Sequence, residues 1–360
     1  MKLFQCQNCG QLLYFENRRC ERCGFGLGYL PDRSELSALT PRDHGFEAMA
    51  DPRPLYRFCS NAEADVCNWL VPAESHDLFC LACRHNRIVP NLSQPENGLA
   101  WQKMEAAKHR LFYTLLRLRL PLLTRQESEE NGLVFDFPAD PPPESGPKVM
   151  TGHDEGLITI ALVEADDAER ERRRTAMGEP YRTLLGHFRH EVGHYYWDRL
   201  VRDGGRLEAC RAIFGDDRVD YGESLQKHYR MGPPPNWQEN YVTAYAATHP
   251  WEDFAETWAH YLHIVDTLEM ARAFNVDVRP DLDQSGLLTA RVTFDPYEHQ
   301  SIDVLVDTWL PMTFALNGIN RCMGIADLYP FVLSPAMIRK LGFINDLVHD
   351  RIPETATRAA

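Results

Sequence analysis

The sequence predicts an α+β protein in two parts: a cysteine-rich, zinc-ribbon-like module over residues 1–93 and a mainly helical domain with a small sheet over 94–360. Three observations predict this. Eight of the ten cysteines fall within the first 83 residues, leaving only Cys210 and Cys322 beyond them. Apolar residues recur at helical spacing in three later stretches, 97–120, 184–195 and 254–262. Between them LITIALV, residues 157–163, is rich in β-branched side chains and reads as a strand.

Composition narrows the class. A 360-residue chain with 44% hydrophobic and 11% aromatic residues can bury a sizeable core, so it is not disordered as a whole. No apolar run reaches the length of a membrane span, and MKLFQCQNCG lacks the apolar centre of an export signal, so a cytoplasmic protein without a membrane partner is expected. Cysteines clustered in such a chain point to metal binding and not to disulfides. The net charge of −14 argues against general affinity for nucleic acid.

The first module opens with two CxxC knuckles, Cys6/Cys9 and Cys20/Cys23, each followed by a glycine, Gly10 or Gly24. Glycine lets the backbone turn tightly around thiolates, and four thiolates complete a closed tetrahedral zinc site within residues 1–30. A second set, Cys59, Cys67, Cys80 and Cys83, lies within residues 56–90; it has one knuckle, but its count again reaches four. His76 and His85 are then superfluous as ligands and are expected to be ordinary exposed histidines. Residues 31–58, polar and punctuated by proline, read as a connecting segment. Zinc ribbons often bind nucleic acid, but residues 1–93 carry ten Lys or Arg against eleven Asp or Glu, a balance of −1 without a basic stripe. A structural or protein-docking role is the better expectation.

Residues 97–120 form a helix stopped by Pro121, with Lys103, Lys108, Arg110, Arg117 and Arg119 as its solvated face. A proline cluster at 141–143 and the 157–163 strand follow. The tail after Pro353 is expected to be loose.

In HEVGH, residues 190–194, His190 and His194 stand four apart on one helix, so both imidazoles can reach one metal ion, of which zinc is the usual occupant. Glu191 sits beside them, placed to take the proton of a water activated by that zinc. Leu184, Leu185, Phe188, Val192 and Tyr195 recur on the side away from the histidines and would be buried. Gly204 and Gly205 end the helix; RLEACRAIF and the loop GPPPNW lead to a second long helix opened by Thr248 or His249, with Pro250 in its first turn. Phe254, Trp258 and Leu262 place that helix in the core. Glu252 and Glu256, one turn apart on it, are both candidates for the third protein ligand that a catalytic zinc requires.

HEVGH followed some sixty residues on by EDFAE resembles the gluzincin metallopeptidases, and EDFAETWAHY resembles the corresponding helix of lethal-factor-type proteases. The whole chain, with its cysteine knuckles ahead of this helix pair, resembles a bacterial family of zinc-binding metallopeptidases that carry an N-terminal zinc ribbon. The resemblance implies a zincin-type catalytic domain with zinc ligands His190, His194 and Glu252, and Glu191 as general base. It implies Glu256 behind a ligand imidazole, and Tyr245 as a donor to the oxyanion or leaving group, with Tyr241 near enough to compete. If Glu256 were the ligand instead, His260 would stand behind it. In zinc peptidases the strand before the HEVGH helix receives an extended substrate, which would give residues 157–163 that role; a plain buried strand is the alternative. The proline-rich insert between HEVGH and EDFAE has no counterpart in those families.

The expected function is a zinc-dependent peptidase acting on a peptide or protein substrate, holding one catalytic and two structural zinc ions, with a possible protein partner for the ribbon module. The competing reading is a zinc-binding scaffold that keeps the peptidase fold without turnover.

Overall fold

A computed structural model describes residues 1–141, 148–177, 179, 181–298 and 300–354. The proline cluster beyond Pro141 and the tail beyond Glu354 lie outside the described residues. The chain is mixed α and β, with a cysteine-rich zinc-ribbon region first and a mostly helical region with small sheets after it. It forms two compact units, Met1–Met177 with Thr183–Phe188, and Gly178–Arg182 with Arg189–Ala360.

In the first unit, strands β1 (Phe4–Gln5) and β2 (Leu12–Leu13) make a short hairpin that carries the first knuckle. Strands β3 (Gly26–Leu30), β4 (Glu35–Arg42), β5 (Gly45–Ala48), β6 (Asp51–Phe58) and β7 (Leu70–Pro72) follow as an antiparallel meander in sequential order. Residues 31–58 are therefore mostly strand and not a connector. Leu30, Leu39, Ala48, Tyr56 and Leu70 supply the sheet's buried cluster. Of the prolines that disguise this segment, Pro52 and Pro54 fall in a bulge between the paired residues Asp51 and Leu55, where ladder hydrogen bonds are not required of them.

Strand β8 (Asn86–Ile88) leads into helix α1 (Pro95–Arg117), and strands β9 (Val134–Asp136), β10 (Gly152–Asp154) and β11 (Leu157–Thr159) complete a sheet of order β10-β11-β9-β8. The strand expected over 157–163 is thus three residues long and gives way to a 3-10 turn at Leu162–Ala165. It is also an interior strand, hydrogen-bonded to β10 on one side and β9 on the other. Both of its ladders are taken, so it cannot receive a substrate strand; β10 and β8 are the outer strands. Helix α2 (Asp167–Met177) closes this unit.

Helix α3 (Leu184–Tyr196) carries HEVGH and runs on as a π-helical segment, Trp197–Arg202. Phe188 packs on Phe135 and Phe137, ring centroids 5.8 and 5.9 Å away, in the first unit. The second unit holds α4 (Leu207–Phe214), α5 (Tyr221–Met231), α6 (Pro250–Ala273), the ribbon β12–β13 (Asp277–Val278 and Ala290–Arg291), α7 (Ile302–Cys322) and α8 (Pro335–Val348). Helix α6 is its axis: Phe254, Trp258 and Leu262 are fully buried, and Trp258 stacks on Tyr196 at 5.0 Å. His249 caps α6 through Nδ1, which accepts from the Trp251 amide, while its Nε2–H donates to the Val219 carbonyl. Ser334 caps α8 and Pro335 occupies its first turn.

Candidate active site

Close approach of α3 to α6 builds the site, and Gly193 permits it. A Cβ at this position would lie 3.0 Å from Ala255 Cα, 3.3 Å from Ala255 O and 3.2 Å from Trp258 Cβ. Backbone atoms cannot rotate out of the way. Gly193→Ala is therefore expected to force the helices apart and to cost about 1–3 kcal/mol, measurable as a lowered denaturation midpoint; an unchanged midpoint would contradict this packing. One residue before the motif, Arg189 is buried and ion-paired with Asp266 of α6; it also contacts His263, and Tyr297 donates to the same aspartate. Sequence reading missed this tie, because a lone arginine beside the motif looks solvated.

With the helices at this spacing, His190, His194 and Glu252 converge. His190 Nε2 lies 3.2 Å from His194 Nε2 and 3.1 Å from Glu252 Oε2, and His194 Nε2 lies 3.5 Å from that oxygen. Ligands held at 2.0–2.2 Å around a tetrahedral zinc are about 3.3–3.6 Å apart, so the three atoms are spaced as three corners of such a site. Nitrogen lone pairs this close repel unless a cation or proton sits between them. The cluster is also rich in negative charge: Glu191, Glu252 and Glu256 lie close together, and Glu252 is only 2% exposed. A divalent cation fits the donor set, the spacing and the charge.

The surroundings orient these groups. His190 Nδ1 donates to Glu256 Oε1 at 2.7 Å, which leaves Nε2 as the lone-pair nitrogen facing the convergence point. Glu256 Oε2 accepts from Thr243 Oγ1 at 2.7 Å, and Thr243 Oγ1 in turn accepts from the Ala246 amide at 3.0 Å. Glu252 Oε1 accepts from Tyr221 Oη at 2.7 Å, so its other oxygen faces the histidines. Trp251 packs against His194, ring centroids 3.7 Å apart and the rings tilted by 33°. His260, the histidine next along α6, is turned elsewhere, with Nδ1 2.8 Å from Tyr329 Oη. Glu191 is 8% exposed, and burial pushes its carboxyl up to about 7. A carboxyl in that range can take a proton and return it near neutral pH.

Tyr245 is half-buried, its ring 6.0 Å from that of His190. Tyr241 faces away and lies under the Lys340 ammonium at 4.3 Å. Tyr221 was not singled out by the sequence. It begins α5, inside the insert between the two motif helices, where nothing but its aromatic type marks it.

Both cysteine sets also assemble. In the first, Cys6 Sγ lies 3.7 Å from Cys23 Sγ and Cys9 Sγ 3.6 Å from Cys20 Sγ. Four thiolates at 2.3 Å from a tetrahedral zinc lie about 3.8 Å apart, so the spacing fits. Gly10 and Gly24 adopt φ of +73° and +76°, and their amides close the knuckles onto the carbonyls of Cys6 and Cys20 at 2.8 Å. In the second set all four cysteines are buried, with the Sγ atoms of Cys67 and Cys80 3.7 Å apart. His76 is exposed as expected, but His85 is buried, its Nδ1–H donating to the Leu133 carbonyl at 2.7 Å while burial pushes its pKa down to about 4. A neutral imidazole used as a core donor explains the departure.

A cysteine-rich ribbon followed by two helices that converge histidines and a glutamate defines a zinc-binding protein built like a metallopeptidase. The chain belongs to the family described as "Putative zinc-binding metallo-peptidase", which matches residues 97–347, and residues 3–94 match a zinc-ribbon domain. It is 40% identical over 362 aligned positions to uncharacterized proteins of Mycobacterium tuberculosis and Mycobacterium bovis, covering 98% of this chain and 97% of each relative. No solved structure matches it.

Proposed function

We propose that the chain is a zinc-dependent endopeptidase of gluzincin type, with His190, His194 and Glu252 as ligands of the catalytic metal. The observation that carries this reading is the convergence of His190 Nε2, His194 Nε2 and Glu252 Oε2 while Glu256 holds the opposite nitrogen of His190. Zinc held there supplies a Lewis acid that polarises the scissile carbonyl and makes a nearby water more acidic. Glu191 takes the proton of the attacking water and returns it to the leaving amine, which its raised pKa favours. Tyr245 donates to the carbonyl oxygen as charge develops on it. The two cysteine sets hold structural zinc, which brings the total to three ions per chain.

Among the described residues no helix is long and apolar enough to cross a membrane. We place the protein in the cytoplasm, with a peptide or protein substrate and a protein partner, not nucleic acid, for the ribbon module.

Digestion of a mixed peptide library, read by mass spectrometry, tests the proposal. Internal cleavage products should appear, disappear on chelation and return when zinc is added back. Cleavage that survives removal of the metal, or no cleavage by fully loaded protein, would sink it.

Tyr221 acts on this site through Glu252, by fixing which carboxylate oxygen faces the histidines. Tyr221→Phe removes that hydrogen bond without changing the ring, and the affinity of the catalytic site for zinc is expected to fall about 10- to 100-fold. Competition with a chromogenic chelator measures it; wild-type affinity in the Phe variant would remove Tyr221 from the support of Glu252.

A further inference from the structure

The two cysteine sets differ in how their charge is met. Four thiolates around a divalent ion carry a net charge of −2, which is costly away from water unless N–H groups or cations face the sulfurs. In the first set Cys9 and Cys23 reach the surface, and solvent shares that task. In the second set every cysteine is buried. Backbone amides reach three of its sulfurs: Trp69 N lies 3.4 Å from Cys67 Sγ, Cys80 N 3.3 Å from Cys59 Sγ, and Cys83 N 3.4 Å from Cys80 Sγ. The contacts of Cys83 Sγ come instead from side chains of α1.

Helix α1 lies beyond the residues matched by the zinc-ribbon domain. Glu105, Lys108 and His109 lie on its buried side, at 0%, 0% and 4% exposure, although the sequence pattern assigns Lys108 to a solvated face. His109 Nε2 sits 3.4 Å from Cys67 Sγ and 3.6 Å from Cys83 Sγ. Glu105 Oε2 is 3.6 Å from Cys83 Sγ, and the Lys108 ammonium binds Glu105 at 2.9 Å. Asn86 at 2.7 Å and Trp101 at 3.2 Å donate to the other oxygen of Glu105. A buried carboxylate beside a thiolate is tolerable only because Lys108 neutralises it, which leaves His109 as the group of α1 that can face the sulfurs as a donor.

We propose that His109 belongs to the second metal centre as an N–H donor shared by the thiolates of Cys67 and Cys83, so that α1, and not the ribbon alone, completes that centre. A metal-bound thiolate can only accept, so Nε2 carries the hydrogen. The inference rests on the reading of Cys59, Cys67, Cys80 and Cys83 as a zinc site. It makes the centre a joint of the first unit: loss of the ion leaves thiols, Glu105 and His109 buried without the charge they were arranged around, and α1 loses that anchor.

Zinc release from the full-length protein, titrated with a chelator, tests both layers, with the first cysteine set as an internal reference. Wild type should keep two zinc ions after the open site has emptied. His109→Ala should lose one of these at a chelator level about 10- to 100-fold lower, and His109→Gln, whose amide N–H can replace the donor, should recover part of the difference. If wild type keeps only one such ion, the metal-site reading itself fails; if it keeps two and His109→Ala releases them in the same way, His109 has no role. Histidine nitrogen NMR of the zinc-loaded wild type needs no variant: Nε2 of His109 should be protonated, and a metal-coordinated Nε2 would overturn the outer donor role in favour of direct ligation.

Discussion

Glu191→Gln is expected to abolish peptide hydrolysis while the chain keeps its zinc and its fold. The substitution preserves shape and removes only the capacity to accept a proton, and Glu191 is not among the three groups whose atoms converge. General-base catalysis contributes typically 10²–10⁴-fold, so kcat should fall by at least that range, about 3–5 kcal/mol of barrier. The Gln chain should be no less stable than wild type, because burial already disfavours the ionised carboxyl and an amide removes that cost. Turnover near the wild-type rate in a fully loaded variant would rule out hydrolysis with Glu191 as the base.

Glu252→Ala and Glu256→Ala should fail in different ways, although both carboxylates stand on one face of α6. Glu252 presents Oε2 to both histidines, at 3.1 and 3.5 Å, so its removal takes away one of the three groups proposed to hold the catalytic metal; the purified variant should lack zinc there at micromolar free metal. Glu256 touches His190 Nδ1 and Thr243, on the far side of the imidazole. Its loss frees the ring to rotate without removing a donor, which typically weakens affinity by about 10- to 100-fold, so this site should refill when zinc is supplied. Zinc analysis after equilibration at fixed free metal separates the two, and the reverse order of loss would transfer the ligand role to Glu256.

The parts of the site legible in the sequence are those whose geometry is local. His190 and His194 are fixed relative to each other by one helical turn, and Glu252 and Glu256 by another, so motif spacing alone pairs them. The knuckles are equally local, since Gly10 and Gly24 mark the turns that close them. What the sequence hides depends on packing between distant segments. Tyr221 reaches Glu252 only because α5 folds back over the start of α6, where the His249–Val219 hydrogen bond holds the preceding loop. Arg189, Lys108 and His85 look like solvated charges in the sequence and are buried because each meets a specific partner far along the chain: Asp266, the Asn86 amide oxygen and the Leu133 carbonyl. The meander at 26–58 is obscured by prolines, two of which, Pro52 and Pro54, a bulge accommodates, and pairing along both edges, as at 157–159, leaves no trace in the side-chain pattern to tell an interior strand from an outer one.

Helices α3 and α6 are proposed to hold one zinc ion between them. Anomalous diffraction at the zinc edge from crystals of the full-length protein tests it most directly. A peak is expected about 2.0–2.2 Å from His190 Nε2, His194 Nε2 and Glu252 Oε2 together, with Glu256 still on His190 Nδ1. A map that shows zinc in the cysteine sites and none between α3 and α6, or a peak bound by Glu256 in place of Glu252, would contradict it.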